Sequence, residues 1–334
     1  MPLKFFAALF ILACLWLPVD NAGAEEFTVS FETSPDAAYL VPWSAPAAFT
    51  LAIKAIKGQP AADGWVRVQL DAPPPSGFLS TDYSAVEGSR LLELRLPIID
   101  GKAEWRQVLP IRGQYRLAAQ FTGAAGAKAE KVFTFQVREN NQKWGVLIGF
   151  ALGLFITGVV AGRIFSAPRH RVAAMLALWL LLSGAYYALT GHKASAQETQ
   201  KRKYFSKIEV ASPRVGTPAR VQWWLCPASI GGKLSAKLAV TITQVEKNLM
   251  VFAAEKIPVA GEFSLDYQFT DGSDHRVTVV AETEDGETIR QEQLVSVMAV
   301  APPLRAQLAV LASFLLVIFL GLLAGRWSRK ASAK

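Results

Sequence analysis

With 334 residues, 51% of them hydrophobic, a mean hydropathy of +0.25 and a formal net charge of +8, the chain is too apolar for an ordinary soluble domain. The apolar excess lies in a few blocks, and many cations stand beside them (Arg163, Arg169, Arg171, Lys201, Arg202, Lys203, Arg326, Arg329, Lys330), which reads as membrane topology or headgroup contact. Nucleic-acid binding is disfavoured because no zinc-finger, RNP-type or helix-turn-helix pattern accompanies the charge.

The chain opens as an export signal: Lys4 is the positive start, Phe5 to Leu17 the apolar region, and Ala22-Gly23-Ala24 a small-residue cleavage site, so a mature chain is expected from Glu25. A lipoprotein reading through Cys14 fits less well, since the apolar run continues through Leu15-Trp16-Leu17. Cleavage after Ala24 leaves Cys226 as the single thiol, so no internal disulfide can staple the fold.

From residue 25 to 142 the pattern has period two. Strands are predicted near 27–31, 49–55, 65–70, 91–98, 103–109, 115–121 and 131–137, separated by Pro, Gly and Asp. Seven short strands in this length predict an immunoglobulin-like β-sandwich. Tyr115 opens the apolar row of its strand directly after Gly113-Gln114, the position of a tyrosine corner. The irregular stretch from Asp71 to Arg90 carries Phe78, Leu79 and Tyr83, which either fold back onto their own domain or form a partner-binding loop.

Residues 143–190 predict a transmembrane hairpin. Gly145–Gly162 and Val172–Thr190 are uncharged runs of eighteen and nineteen residues joined by a basic turn, 163–171. Gly145, Gly149 and Gly153 recur every four residues, and Gly158 and Gly162 repeat the interval, so these five are expected to line a helix-packing face. Neither span holds an ionisable group, which disfavours transport.

A polar linker, 191–203, leads to a second period-two region, 204–302, with strands predicted near 204–211, 219–226, 237–243, 250–254, 263–269, 276–281 and 290–297, hence a second sandwich. An offset of 160 residues lays Tyr115 on His275, Gly126 on Gly286 and Val137 on Val297, a weak internal repeat. Residues 303–325 hold a third span, with its uncharged run at Ala306–Ala324, and the basic tail 326–334 places the C-terminus in the cytoplasm and both sandwiches outside.

Chemistry has little support. His275 is the one histidine within a predicted domain and reads as structural; Cys226, in the run Val221-Gln-Trp-Trp-Leu-Cys226, reads as a buried thiol. A metal site built from His275 and Cys226 is the alternative. No nucleophile elbow, paired metal motif or phosphate loop occurs, so no catalytic residue, cofactor or small-molecule substrate is expected.

The order of signal, β-domain, hairpin and β-domain resembles the B subunit of particulate methane and ammonia monooxygenases, whose sandwiches are cupredoxin-like and whose copper ligands include a His-x-His pair. This sequence has no such pair and adds a span, so the resemblance is one of layout and implies a copper-free accessory or scaffold subunit. At superfamily level the chain resembles bacterial membrane-anchored periplasmic immunoglobulin-like proteins. The resulting expectation is a non-enzymatic, multi-pass inner-membrane protein whose partners are the bilayer and a membrane or periplasmic protein. The alternative is an accessory subunit of a copper oxidase or monooxygenase-like enzyme.

Overall fold

The computed structural model describes residues 27–55, 64–75, 81, 83–123, 128–164, 204–227, 235–301 and 304–332. The signal segment, the second predicted span (172–190), the linker 191–203, and Phe78 and Leu79 lie outside them. Fourteen strands and two long helices are formed: β1 Phe27–Ser34, β2 Ala47–Ala55, β3 Gly64–Asp71, β4 Arg90–Ile98, β5 Lys102–Gln107, β6 Gly113–Gly123, β7 Lys128–Val137, α1 Asn141–Ile164, then β8 Tyr204–Val210, β9 Ala219–Pro227, β10 Ser235–Gln244, β11 Leu249–Ala260, β12 Glu262–Tyr267, β13 Asp274–Thr283, β14 Thr288–Ser296 and α2 Leu304–Ser332.

The strands arise where the apolar-polar alternation is cleanest. In β5, Ala103, Trp105 and Gln107 are buried while Lys102, Glu104 and Arg106 are exposed; β10 and β13 alternate in the same way. Aromatic rings close the space between the sheets. Phe49 of β2 stacks on Trp105 of β5 with centroids 5.1 Å apart, and Phe31 of β1 meets Phe135 of β7 at 5.4 Å.

Each half has one topology. In the first, β1-β2-β5 faces β7-β6-β3-β4; in the second, β8-β9-β12 faces β14-β13-β10-β11. This is an immunoglobulin-like order, three strands against four, used twice. The structure departs from the expectation of two separate sandwiches, because the halves share both sheets. One seven-stranded sheet runs β1-β2-β5-β11-β10-β13-β14 and the other β7-β6-β3-β4-β12-β9-β8, and a single buried core passes through both halves.

The seams between the halves obey the 160-residue offset. The Val108 amide donates to the Val251 carbonyl at 2.9 Å, and the Gln268 amide donates to the Leu91 carbonyl at 2.9 Å. Beside them Gln107 pairs with Phe252 and Arg106 with Ala253, while Tyr267 pairs with Leu92 and Asp266 with Glu93. Adding 160 to the first member of each contact at one seam and subtracting 160 from the second yields the contact at the other, so the halves are related by an approximate twofold axis.

Both seams unzip after these contacts, and proline supplies a reason. The β3–β4 ladder continues on either side of Pro97, so its missing N–H lies on the edge facing β12. Pro258 sits likewise in the β10–β11 ladder, displaced by one position by the bulge at Glu255-Lys256, where Lys256 has φ 57°. The edges that would extend the seams thus lack a donor.

β7 and β14 run in the same direction and lead to α1 and α2 at one end of the β body, here the proximal end. The two helices pack on each other through glycine. A Cβ placed on Gly158 would come within 2.5 Å of the Ile318 carbonyl oxygen, and one on Gly162 within 2.5 Å of the Leu322 carbonyl oxygen; Gly321 and Gly325 press on Phe155 and Val159 in return. Both helices are long and apolar enough to cross a membrane, and their outer surfaces expose Leu147, Ile148, Phe150, Leu315, Leu316 and Phe319.

Candidate interaction surfaces

At the distal end, away from the helices, the separation of β5 from β11 leaves a trench of about 500 Å³. Its walls carry Lys102, Glu104 and Arg106 from β5 and Glu255 and Lys256 from β11, and Leu96 and Pro97 of β4 also line it. Ile99, in the β4–β5 turn, is 40% exposed at its rim. The trench is a mixed-charge surface with an apolar patch at Ile99.

On the other seam a charge network crosses the outer face. Glu93 and Asp266 face each other in register, an unfavourable juxtaposition taken alone. Arg67 and Arg90 both bond to Glu93, the latter at 2.7 Å and also to Asp71 at 3.1 Å, while Arg220 holds Asp266 at 2.9 Å. Partial burial pushes the Glu93 carboxyl upward, yet the hydrogen bonds and charges of Arg67 and Arg90 outweigh it and hold its pKa below the usual value.

The predicted site residues are dispersed. His275 is 1% exposed, in the proximal corner of the second half. Its Nδ1 lies 3.0 Å from the Ser273 carbonyl oxygen, its Nε2 3.5 Å from an Asp271 carboxylate oxygen, and its ring meets Phe269 edge-on at 5.1 Å. Burial lowers its pKa, opposed by the charges of Asp271, Asp274 and Glu246 and the bond to Ser273. The Ser273 hydroxyl donates to Asp271 at 2.6 Å, so Ser, Asp and His are neighbours without a serine-to-imidazole bond.

Cys226 does not join His275. It is exposed on β9, where Val221, Trp223 and Leu225 take the inward positions, whereas His275 points inward from β13 in the other sheet. This corrects the buried-thiol expectation: in a strand the inward parity decides burial, and Cys226 has the outward parity. Among the described residues no group of three His, Cys, Asp or Glu side chains is placed to hold a metal ion.

Tyr83 is partly buried and packs against the core, its ring 5.3 Å from that of Trp43, which Lys247 of the second half covers at 4.5 Å. Of the five glycines, Gly158 and Gly162 pack on α2, whereas a Cβ at Gly145, Gly149 or Gly153 meets nothing within 4 Å among the described residues. Sequence reading missed Gly321 and Gly325, although Ala324-Gly325-Arg326 repeats the Ala161-Gly162-Arg163 ending of the first span.

No family model and no curated protein sequence matches the chain. Among solved structures it is similar to Yersinia pseudotuberculosis adhesin InvE, at 9% identity and a TM-score of 0.22, with 81% of this chain covered and 60% of that one. The soluble domain of PmoD from a Methylocystis species is similar at 15% identity and a TM-score of 0.23, covering 35% of this chain and 94% of that one. The native conformation of E. coli alpha-2-macroglobulin is similar at 9% identity and a TM-score of 0.24, covering 85% of this chain and 15% of that one. Scores this low carry no argument; the immunoglobulin-like assignment rests on strand order and on the Tyr115 corner.

Proposed function

We propose that the chain is a non-catalytic membrane scaffold that presents a rigid pair of immunoglobulin-like sandwiches for protein-protein contact in the assembly of an envelope complex. The supporting observation is the double fusion of the halves: shared sheets above and glycine-packed helices α1 and α2 below hold the β body at a fixed height and orientation. Such rigidity lowers the entropy lost when a partner docks.

In this reading the protein is a multi-pass protein of a bacterial inner membrane with its β body in the periplasm. The C-terminal tail carries Arg326, Arg329, Lys330 and Lys334 against Arg305 alone on the other flank of the span, the bias of a cytoplasmic C-terminus. The hairpin partner of α1 is then Val172–Thr190. The distal trench is the surface furthest from the bilayer and the one offered to a periplasmic or membrane protein.

A mild-detergent pull-down of the full chain from its own membranes, with mass spectrometry and metal analysis of one sample, tests this. The expected result is a stoichiometric protein partner, lost with Arg106→Glu/Lys256→Glu while the sandwich stays folded. Bound metal with no partner contradicts it.

A further inference from the structure

We propose that α1 is the middle helix of the membrane anchor, with the face carrying Gly145, Gly149 and Gly153 seated against Val172–Thr190 of the same chain. The inference rests on the reading of α1 and α2 as membrane-spanning and says which face of α1 receives the return crossing.

Helical geometry separates the two sets of glycines. At about 100° per residue, nine positions correspond to a rotation of roughly 180°, so Gly149 stands opposite Gly158 and Gly153 opposite Gly162. Gly158 and Gly162 are filled by the backbone of α2, whereas Gly145, Gly149 and Gly153 meet nothing within 4 Å among the described residues. Among the described residues one face of α1 is used by α2 and nothing lies against the reverse face.

Chain polarity names the occupant. Ile164 closes α1 at the end remote from the β body. β8 begins at Tyr204, opposite Pro227, at the distal rim of the body. The 39 residues between, 165–203, must return to the β side, and within them only Val172–Thr190 is an uncharged run of crossing length. Only seven residues, 165–171, separate it from α1, a reach of at most about 25 Å, which keeps the run beside the α1–α2 pair. Counting equal rise on both sides of that turn sets Gly153 level with about residue 183 and Gly149 with about residue 187. Gly184 and Ala188 there repeat the four-residue interval of small side chains that lets backbones approach. A second copy, or another protein's helix, is the competing occupant.

The test uses the full chain in its membranes in a Cys14→Ser/Cys226→Ser background, with a specific protease site inserted in the 165–171 turn. Gly149→Cys is combined in turn with cysteine at each position from Gly184 to Ala188, and a parallel series starts from Gly153→Cys. Phe150→Cys/Phe314→Cys, whose native rings lie 5.4 Å apart on α1 and α2, is the control. After oxidation and cleavage, the control and at least one pair in each series should hold the two fragments together until reductant is added. If the control links and neither series does, the proposal is overturned. A disulfide-linked dimer from Gly149→Cys alone also overturns it, in favour of a second copy. A control that fails to link removes the helix pair itself, and the proposal with it.

Discussion

Tyr115 and His275 occupy equivalent positions in the two halves, 160 residues apart, and each is tied to the residue four positions earlier. The Tyr115 hydroxyl donates to the Ile111 carbonyl at 2.7 Å and accepts the Ile111 amide at 3.1 Å, closing a tyrosine corner. His275 reaches the Asp271 carboxylate instead. One architectural corner is thus held by a hydroxyl in the first half and by a titratable ring in the second.

Tyr115→Phe removes a hydroxyl that serves both a buried donor and a buried acceptor. Leaving Ile111 unsatisfied should cost about 1–2 kcal/mol, read as a lower denaturation midpoint with an unchanged slope. Burial raises the Tyr115 pKa, so the phenol stays protonated throughout the accessible pH range.

For His275 the sign follows from burial. Its folded pKa lies below the ordinary 6.5, so the unfolded chain binds more protons in the window beneath 6.5. The stability it contributes is complete above that value and is lost as pH falls toward the folded pKa. Thermal midpoints of the native chain should drop as pH falls below about 6.5. His275→Tyr, which restores the corner of the first half, should flatten that part of the profile.

Arg220 neutralises one of two facing carboxylates, pairing with Asp266 from the strand on its other side. Arg220→Ala leaves Asp266 opposite Glu93 and should lower the thermal midpoint, with a deficit that shrinks in high salt. Adding Asp266→Asn should recover most of the loss. Recovery in the double variant would show that the repulsion, rather than lost packing by the arginine stem, carries the effect.

Gly321→Leu puts a side chain against the Phe155 backbone. In membranes it should cut the yield of the Phe150→Cys/Phe314→Cys disulfide several-fold and leave the β body folded, as read by near-ultraviolet circular dichroism.

Much of the fold was legible because period-two alternation is a local signal. All fourteen strands fall within a few residues of their expected places, including β13 and β14 around the turn closed by the Thr283 amide on the Glu287 carbonyl, with Gly286 at φ 79°. The offset of 160 was visible in Tyr115 and His275. The seams were not legible, since Val108 and Val251 are far apart in sequence and look like any other strand residues. Glycine spacing pointed to a packing face on α1, found at Gly158 and Gly162, but not to the division of its glycines between two opposite sides. Cys226 was misplaced because an apolar run hides inward-outward parity that only the partner strands reveal.

The central claim is that the two halves form one body through shared sheets, and hydrogen exchange under native conditions tests it most directly. Comparing the wild-type chain with Tyr115→Phe, the account predicts that amides of β10 and β13 in the second half lose protection by about as much as those of β3 and β6 in the first. Loss confined to the first half, with β10 and β13 unchanged, would contradict it and make the halves independent domains that merely touch.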